Sequence, residues 1–420
     1  MFPQKTIFTG FAPNLTIRDV AAALAFLFFP WRWRRLRTGS AVRKVEQWLE
    51  QYFSVPQAIS FDSGRSALQL ALLALDVKTG DEILLPAYTC VVVVNAIEWS
   101  RATPIFVDID ENFSFDPIDL ERKISPRTRV AIVQHTFGQP VKIEQFAPIL
   151  RAYGIKIIED CAHSLGAKSD GKKTGTLGDI GMFSFGSDKV ISCARGGALI
   201  TKDEHLGRIL RKKQKALPKM ALWPLLQHLF HGPIFFLGKA WYHFGVGKCM
   251  LFFARQTGLL PSIISLKEKR GKPLAWFPCA FPNALAHILL NQLNNLETLN
   301  LHRQKIAGIY RKHLRHRDII HPREDGEAIY LRYTIRVSNP QQLISKLKRE
   351  NIFLDDWYAR PIAPIDTQLP STPPSLFSCQ TAFDFSQHSL NLPTHRGISE
   401  SEAQRIIRAV LHFFQHKYNL

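Results

Sequence analysis

"GMFSFGSDKVISCARGGALI", residues 181–200, carries one lysine, Lys189, between two apolar runs. The first run reads as a strand, the paired glycines Gly196 and Gly197 as a turn, and the last run as a second strand. Lysine is rarely buried without a partner for its charge, and taken alone Lys189 reads as a solvated loop residue. Its surroundings argue otherwise. Upstream, "IKIIED" (155–160) is a strand ending on Asp160. Further out, "AISFDSG" (58–64), "DEILLPAYT" (81–89), "ATPIFVDI" (102–109) and "RVAIVQHTF" (129–137) read as strands. Between them "RSALQLALLAL" (65–75), "VVVVNAIEWS" (91–100) and "KIEQFAPILRAYG" (142–154) read as helices. The second is helical despite its valines, because parallel strands need a crossover. The alternation predicts an α/β fold: an open, mostly parallel sheet flanked by helices, with ligands bound beyond the carboxyl ends of its strands.

The chain has 420 residues, 46% of them hydrophobic, and a net charge of +19. That excess suits an anionic partner: a small substrate, a membrane surface or nucleic acid. No zinc knuckle, arginine-rich tail or nucleic-acid module is recognisable, so nucleic acid ranks last. Cys90, Cys161, Cys193, Cys249, Cys279 and Cys379 form no C-x-x-C pair and read as free thiols of a reducing compartment. "MFPQKTIFTGFAPNLTIRDV" (1–20) lacks a basic segment followed by an apolar signal core, and "AAALAFLFFP" (21–30) is too short to span a bilayer. A cytoplasmic protein is expected.

Four parts follow from the rhythm. Residues 1–40 form an N-terminal arm, with a short helix at 17–29 before "WRWRRLR" (31–37). Residues 41–215 form the large α/β domain. Residues 216–270 are an apolar, aromatic insert. Residues 271–420 hold one long helix (283–314) and a smaller α+β domain, with strands at "IYLRYTIRV" (329–337), "IFLDDWY" (352–358) and "HSLNLP" (388–393) and a terminal helix.

Three features give Lys189 a chemical setting. Asp160, at a strand's carboxyl edge, either caps a helix begun by "CAHSLGA" or pairs with a cationic ring nitrogen. "SGRSAL" (63–68) is a turn entering a helix, whose N–H groups and hydroxyls suit a phosphate. Ser184, just before Lys189, reads as a strand serine or a donor to the same phosphate. An amine for an aldehyde, an acid for a pyridine nitrogen and a cradle for a phosphate together describe a pyridoxal 5'-phosphate site.

With those residues in hand, the chain resembles the DegT/DnrJ/EryC1/StrS sugar aminotransferases, a group of fold-type I pyridoxal phosphate enzymes. The likeness runs from about 38 to 412 through "SGRSALQLALLAL", "GDEILLPAYT", "TRVAIVQHTFGQP", "IEDCAHSLGA", "GTLGDIGMFSFGSDKVISCARGGALIT", "NQLNNLETLNLHRQKIAGIY" and "SLNLPTHRGISESEAQRIIRAV". It implies a fold-type I architecture, a homodimer, and amino transfer through a Lys189 Schiff base. The donor would be L-glutamate and the acceptor a nucleotide-linked keto sugar, in the setting of polysaccharide biosynthesis. It implies that Asp160 holds the pyridinium, that His163 lies beside the ring, and that Gly64, Arg65, Ser66 and Ser184 hold the phosphate. Lysine at 189 favours amino transfer, because the dehydratases of the group carry histidine there. Another reaction on such sugars (dehydration or epimerisation) and a non-catalytic scaffold that kept the fold are the alternatives.

The chain departs from the family pattern at three places. Arg65 replaces a common threonine, Cys90 stands where an aromatic ring usually stacks on the cofactor (Tyr88 being two residues away), and "FPCAFPN" (277–283) replaces the Asn-Tyr-Arg-Met that serves the partner's site. The insert reads either as a buried helical subdomain or dimer contact, or as a peripheral contact with the inner membrane face through 221–260 together with 21–37. Its histidines do not repeat on one helical face, and no metal is expected.

Overall fold

The computed structural model describes residues 5–323, 327–370 and 373–417. The central sheet has seven strands: β1 (Gln57–Phe61), β2 (Glu82–Pro86), β3 (Thr103–Val107), β4 (Thr128–Gln134), β5 (Lys156–Asp160), β6 (Ile180–Ser184) and β7 (Gly197–Thr201). Their spatial order is β1-β7-β6-β5-β4-β2-β3, and only β7 runs against the rest. The chain turns back into β7 directly beside β6, whereas the parallel neighbours require crossovers. Those crossovers are α4 (Gly64–Ala74), α5 (Val91–Trp99), α6 (Pro117–Lys123) and α7 (Ala147–Ala152), after α1 (Ile17–Phe28), α2 (Pro30–Trp33) and α3 (Ala41–Phe53) of the leading segment.

Side chains alternate across the sheet. Along β7, Leu199 joins the core under α4 and α5, while Ala198 and Ile200 join the core under α3 on the other face. The valine-rich α5 follows the same logic. Each β-branched residue costs about half a kcal/mol of helix propensity, but burying Val91, Val93, Val94 and Ile97 returns about 1.5–3 kcal/mol apiece. Burial decides the local structure.

After β7 comes α8 (Glu204–Lys215), and then the segment 216–270, which folds as α9 (Leu222–Ala240), α10 (Val246–Gln256) and the short α11 (Leu266–Lys269). Leu225 and Leu229 of α9 are buried in the same core as α3. The helix anticipated over 283–314 is two helices, α12 (Asn283–Leu293) and α13 (Leu296–His313). The break has a local cause. Asn295 leaves helical geometry (φ −111°, ψ 8°) and its side chain donates to the Asn291 carbonyl at 2.9 Å, competing with the backbone ladder. The C-terminal part packs α14 (Pro340–Arg349) and α16 (Glu400–Lys417) on an antiparallel sheet of β8 (Ile319–Ile320), β9 (Arg332–Val337) and β10 (Ser389–Pro393), with α15 (Gln380–His388) leading into β10. The strand expected over 352–358 shrinks to Ile352–Phe353, which pairs with Ile7–Phe8 of the arm. The first four residues of the arm lie outside the described residues.

Candidate active site

Two neighbouring strands of the sheet end at one place. Asp160 closes β5 and Ser184 closes β6, and Lys189 follows in the turn after β6, where its N–H donates to the Gly186 carbonyl at 3.2 Å. The N-terminus of α4 faces them. Around one cavity of about 120 Å3 the structure brings together Gly64, Arg65, Cys90, Asp160, His163, Ser184 and Lys189. Ser66 is drawn elsewhere. It is fully buried and its hydroxyl pairs with Ser63 Oγ at 2.9 Å inside the helix cap.

The start of α4 is shaped for close approach. Ser63 caps the helix by accepting from the Ser66 N–H at 3.3 Å, which leaves the Gly64 and Arg65 amides at the cavity without intrahelical acceptors. A Cβ on Gly64 would lie 2.9 Å from Ser184 Cβ and 3.1 Å from its Oγ. Gly64→Val is therefore expected to push Ser184 aside and weaken pyridoxal phosphate binding at least tenfold, read by equilibrium titration of coenzyme absorbance. Unchanged affinity would show that this contact does not shape the site.

Burial holds Lys189 below the usual lysine range, opposed by the charges of Cys90, Asp160 and Asp188. It also raises the Asp160 carboxyl, against the Ala162 N–H that donates to Asp160 Oδ1 at 2.9 Å. That hydrogen bond closes a turn. The helix expected from "CAHSLGA" is absent among the described residues, and Asp160 caps the turn that takes its place. His163 is buried and held well below the ordinary histidine range by desolvation. Its Nδ1 accepts from the Phe137 N–H at 3.3 Å, which makes Nε2 the protonated nitrogen of a neutral ring.

The Lys189 turn is fixed from behind. Asn14 of the arm donates through Nδ2 to the carbonyls of Lys189 (2.7 Å) and Val190 (3.0 Å). Arg303 of α13, fully buried and lowered by desolvation to about 9, donates to the Val190 carbonyl (2.5 Å), Asn14 Oδ1 (3.0 Å) and Asn300 Oδ1 (2.9 Å). Arg303→Met should leave both asparagine oxygens short of a donor. The expected loss is about 2–4 kcal/mol, read by urea denaturation; a loss below about 1 kcal/mol, the worth of one ordinary hydrogen bond, would count against this network.

Three departures noted in the sequence find their places. The Arg65 guanidinium is ion-paired with Glu268 of α11, donates to the Ile263 carbonyl at 2.8 Å, and is lowered by burial to about 9. Its charge is thus spent on the insert. Cys90 is half-buried in the cavity wall, its thiol raised by burial. Tyr88 is fully buried behind that wall, its hydroxyl accepting from the Tyr358 N–H at 2.9 Å. Asn283 caps α3 instead of facing the cavity: Oδ1 accepts from the Ala41 N–H at 3.0 Å and Nδ2 donates to the Arg35 carbonyl at 2.7 Å.

The cavity also has walls that the sequence reading missed. Trp357 lies near-parallel to His163 (ring centroids 5.8 Å, 21°) with its ring 5.5 Å from Lys189 Nζ. The insert contributes His228, His231 and Pro261–Ile264. His228 is buried with no hydrogen-bond partner on either ring nitrogen, and Ser187 Oγ and Asp188 Oδ1 on the same cavity are likewise unpartnered. Only a local signal could have been read in advance, and neither "DDWY" nor the insert has one. His135, Glu159 and Cys161 also converge, but the Glu159 oxygens already accept from the Gly175, Leu177 and Gly178 N–H groups at 2.6–2.7 Å and lie 3.0 Å from His135 Nε2. That cluster ties β5 to the 175–178 turn.

An enclosed amine, a buried acid, a neutral imidazole and a helix entrance with free amides fit pyridoxal phosphate, and the unpartnered polar atoms around them fit a polar ligand. The fold and this site define the class as a pyridoxal phosphate-dependent aminotransferase. The chain belongs to the DegT/DnrJ/EryC1/StrS aminotransferase family, whose model matches residues 32–218 and 279–411. It is 26% identical over 383 residues to the GDP-perosamine synthase of Caulobacter vibrioides, covering 89% of this chain and 90% of that one. The GDP-perosamine synthase of Escherichia coli O157:H7 is 39% identical over 169 residues, a match spanning 40% of this chain and 46% of the relative. In fold it is similar to Helicobacter pylori PseC, an aminotransferase involved in the biosynthesis of pseudoaminic acid (TM-score 0.74, 21% identity, 98% of this chain and 100% of that one). The pyridoxal phosphate form of a putative sugar aminotransferase from Streptococcus pneumoniae is comparable (TM-score 0.72, 20% identity, 97% and 98%).

Proposed function

We propose that this protein transfers an amino group from L-glutamate to the keto group of a nucleotide-linked sugar. One observation carries the reading: Lys189, Asp160 and the amide-bearing entrance of α4 line a single cavity. Pyridoxal phosphate, when bound, supplies the aldehyde that accepts the amine and a ring that draws electrons from the carbon beside it. The chain's own groups do the rest. The Gly64 and Arg65 amides and the Ser184 hydroxyl would hold the phosphate. The Asp160 carboxylate would keep the ring nitrogen protonated, and His163, neutral with its free Nε2–H, would lie beside the ring as a donor. Lys189 Nζ, with its proton loosened by burial, takes a proton from the substrate carbon and returns it. Trp357, Ile263 and Ile264 keep water from these steps.

The assembly and setting belong to the same proposal: a homodimer working in the cytoplasm on sugars destined for polysaccharide, supported by the family relationship and by six cysteines that are all free thiols. Incubation of the purified enzyme with glutamate and a panel of nucleotide keto sugars, followed by mass spectrometry, should give an amino sugar and 2-oxoglutarate. Loss of water from the sugar with no 2-oxoglutarate would establish a dehydratase instead. Bound coenzyme unchanged by any amino donor would establish a scaffold.

A further inference from the structure

An α-helix that is apolar all round is ordinarily buried. Helices α1 and α9, whose charged residues are Arg18, Asp19 and Lys239, come near that composition and lie at the surface. Helix α1 buries Val20, Ala23, Phe26 and Leu27 but turns Ile17, Ala21, Leu24 and Phe28 outward, at spacings of four, three and four. Helix α9 buries Leu225, Leu229 and Phe235 and exposes Leu222, Trp223, Phe236, Leu237 and Trp241 at or just beyond its ends and flank. The two helices pack against each other and both rest on α12. At the corner after α1 the exposure is strongest, with Phe28 66% and Trp31 71% accessible and Trp33 beside them.

The charges of this face have one sign. No Asp or Glu occurs from Val20 to Val45, nor from His205 to Lys267. Arg34, Arg35, Arg37 and Lys219 are exposed and make no ion pair among the described residues. A shallow groove shared by Trp33, Arg34, Arg37, Lys219 and Leu222 joins the two stretches. A two-fold contact would set this patch against its own copy, arginine facing arginine with no acid to answer. The complementary occupant is anionic and accepts large exposed rings on convex helices. A bilayer surface does both: tryptophan and phenylalanine enter the headgroup boundary while arginine and lysine meet lipid phosphates. No helix among the described residues is long and apolar enough to cross a membrane.

We propose that the outer face of α1, α2 and α9 docks this protein on an anionic phospholipid surface. The test uses the full chain loaded with pyridoxal phosphate and vesicles of phosphatidylcholine, with or without about 30% phosphatidylglycerol, at low and high salt. Expected are co-sedimentation and a blue shift of tryptophan fluorescence with the anionic vesicles only, weakened by salt. The triple variant Phe28→Ser, Trp31→Ser, Trp33→Ser should lose at least tenfold in binding. Arg34→Gln, Arg35→Gln, Arg37→Gln should lose the preference for anionic lipid. Both should keep the coenzyme absorbance of the parent, since none of these side chains reaches the cavity. The proposal is overturned if anionic vesicles do not bind the parent, or if both variants bind as it does. It is also overturned if light scattering shows the serine variant falling from dimer to monomer, which would make this face a subunit interface, or if the parent binds an acidic protein through these residues while ignoring vesicles.

Discussion

Lys189→Ala is expected to slow amino transfer by about 10⁴-fold or more, because one amine serves as both covalent anchor and proton carrier. The visible absorption band of the coenzyme-loaded enzyme should disappear, and with it the label that borohydride fixes to residue 189. Stability should not fall with activity. Burial already depresses the Lys189 pKa, so the ammonium is an electrostatic burden in the folded chain and its removal relieves that burden. A melting temperature at or above the parent's, together with lost labelling, would separate chemistry from folding. A variant that still becomes labelled, or still forms product at a comparable rate, would remove Lys189 from the centre of the mechanism.

The second large effect belongs to Asp160. Asparagine preserves its shape and can still accept from the Ala162 N–H at the Oδ1 position, so the turn after β5 should survive. The charge that retains a proton on the coenzyme's ring nitrogen is lost. Turnover should drop by about a thousandfold, while the coenzyme still binds and the protein still folds. The two possible roles of Asp160 give opposite results here. If it only capped a turn, Asp160→Asn would leave the rate nearly intact; if it serves the ring, both Asp160→Asn and Asp160→Ala cost about a thousandfold, and in either case only the alanine, which removes the acceptor of the Ala162 N–H, lowers stability.

The central sheet could be read from the chain because its buried strands are short apolar runs closed by turn residues, as in "KIIED" and "GALIT". The runs "KIIED" and "IGMFS" end on Asp160 and Ser184, and a strand's carboxyl end is where an α/β sheet gathers its chemistry. Contacts set by distant partners were not legible. Arg65 reads locally as a phosphate ligand, but Glu268, 203 residues away, claims its guanidinium. Asn283 sits near a motif position and serves α3 instead. Trp357 falls in a run that reads as a strand but leaves strand geometry after Phe353, and His228 sits on α9, which has apolar residues on more than one face, so neither stretch announces which way these side chains point. The Asn294–Asn295 break was hidden for a different reason: apolar periodicity continues across it, and only the competition of an asparagine side chain with the backbone ends the helix.

The family model leaves residues 219–278 unmatched, yet His228, His231 and Pro261–Ile264 from that gap close the cavity over Lys189. The amine and the wall above it thus come from different parts of the chain. The reacting end lies within the stretch the family model matches, while the doorway over it lies outside that stretch. Substrate preference can drift by revising the doorway alone, with the machinery behind it left untouched.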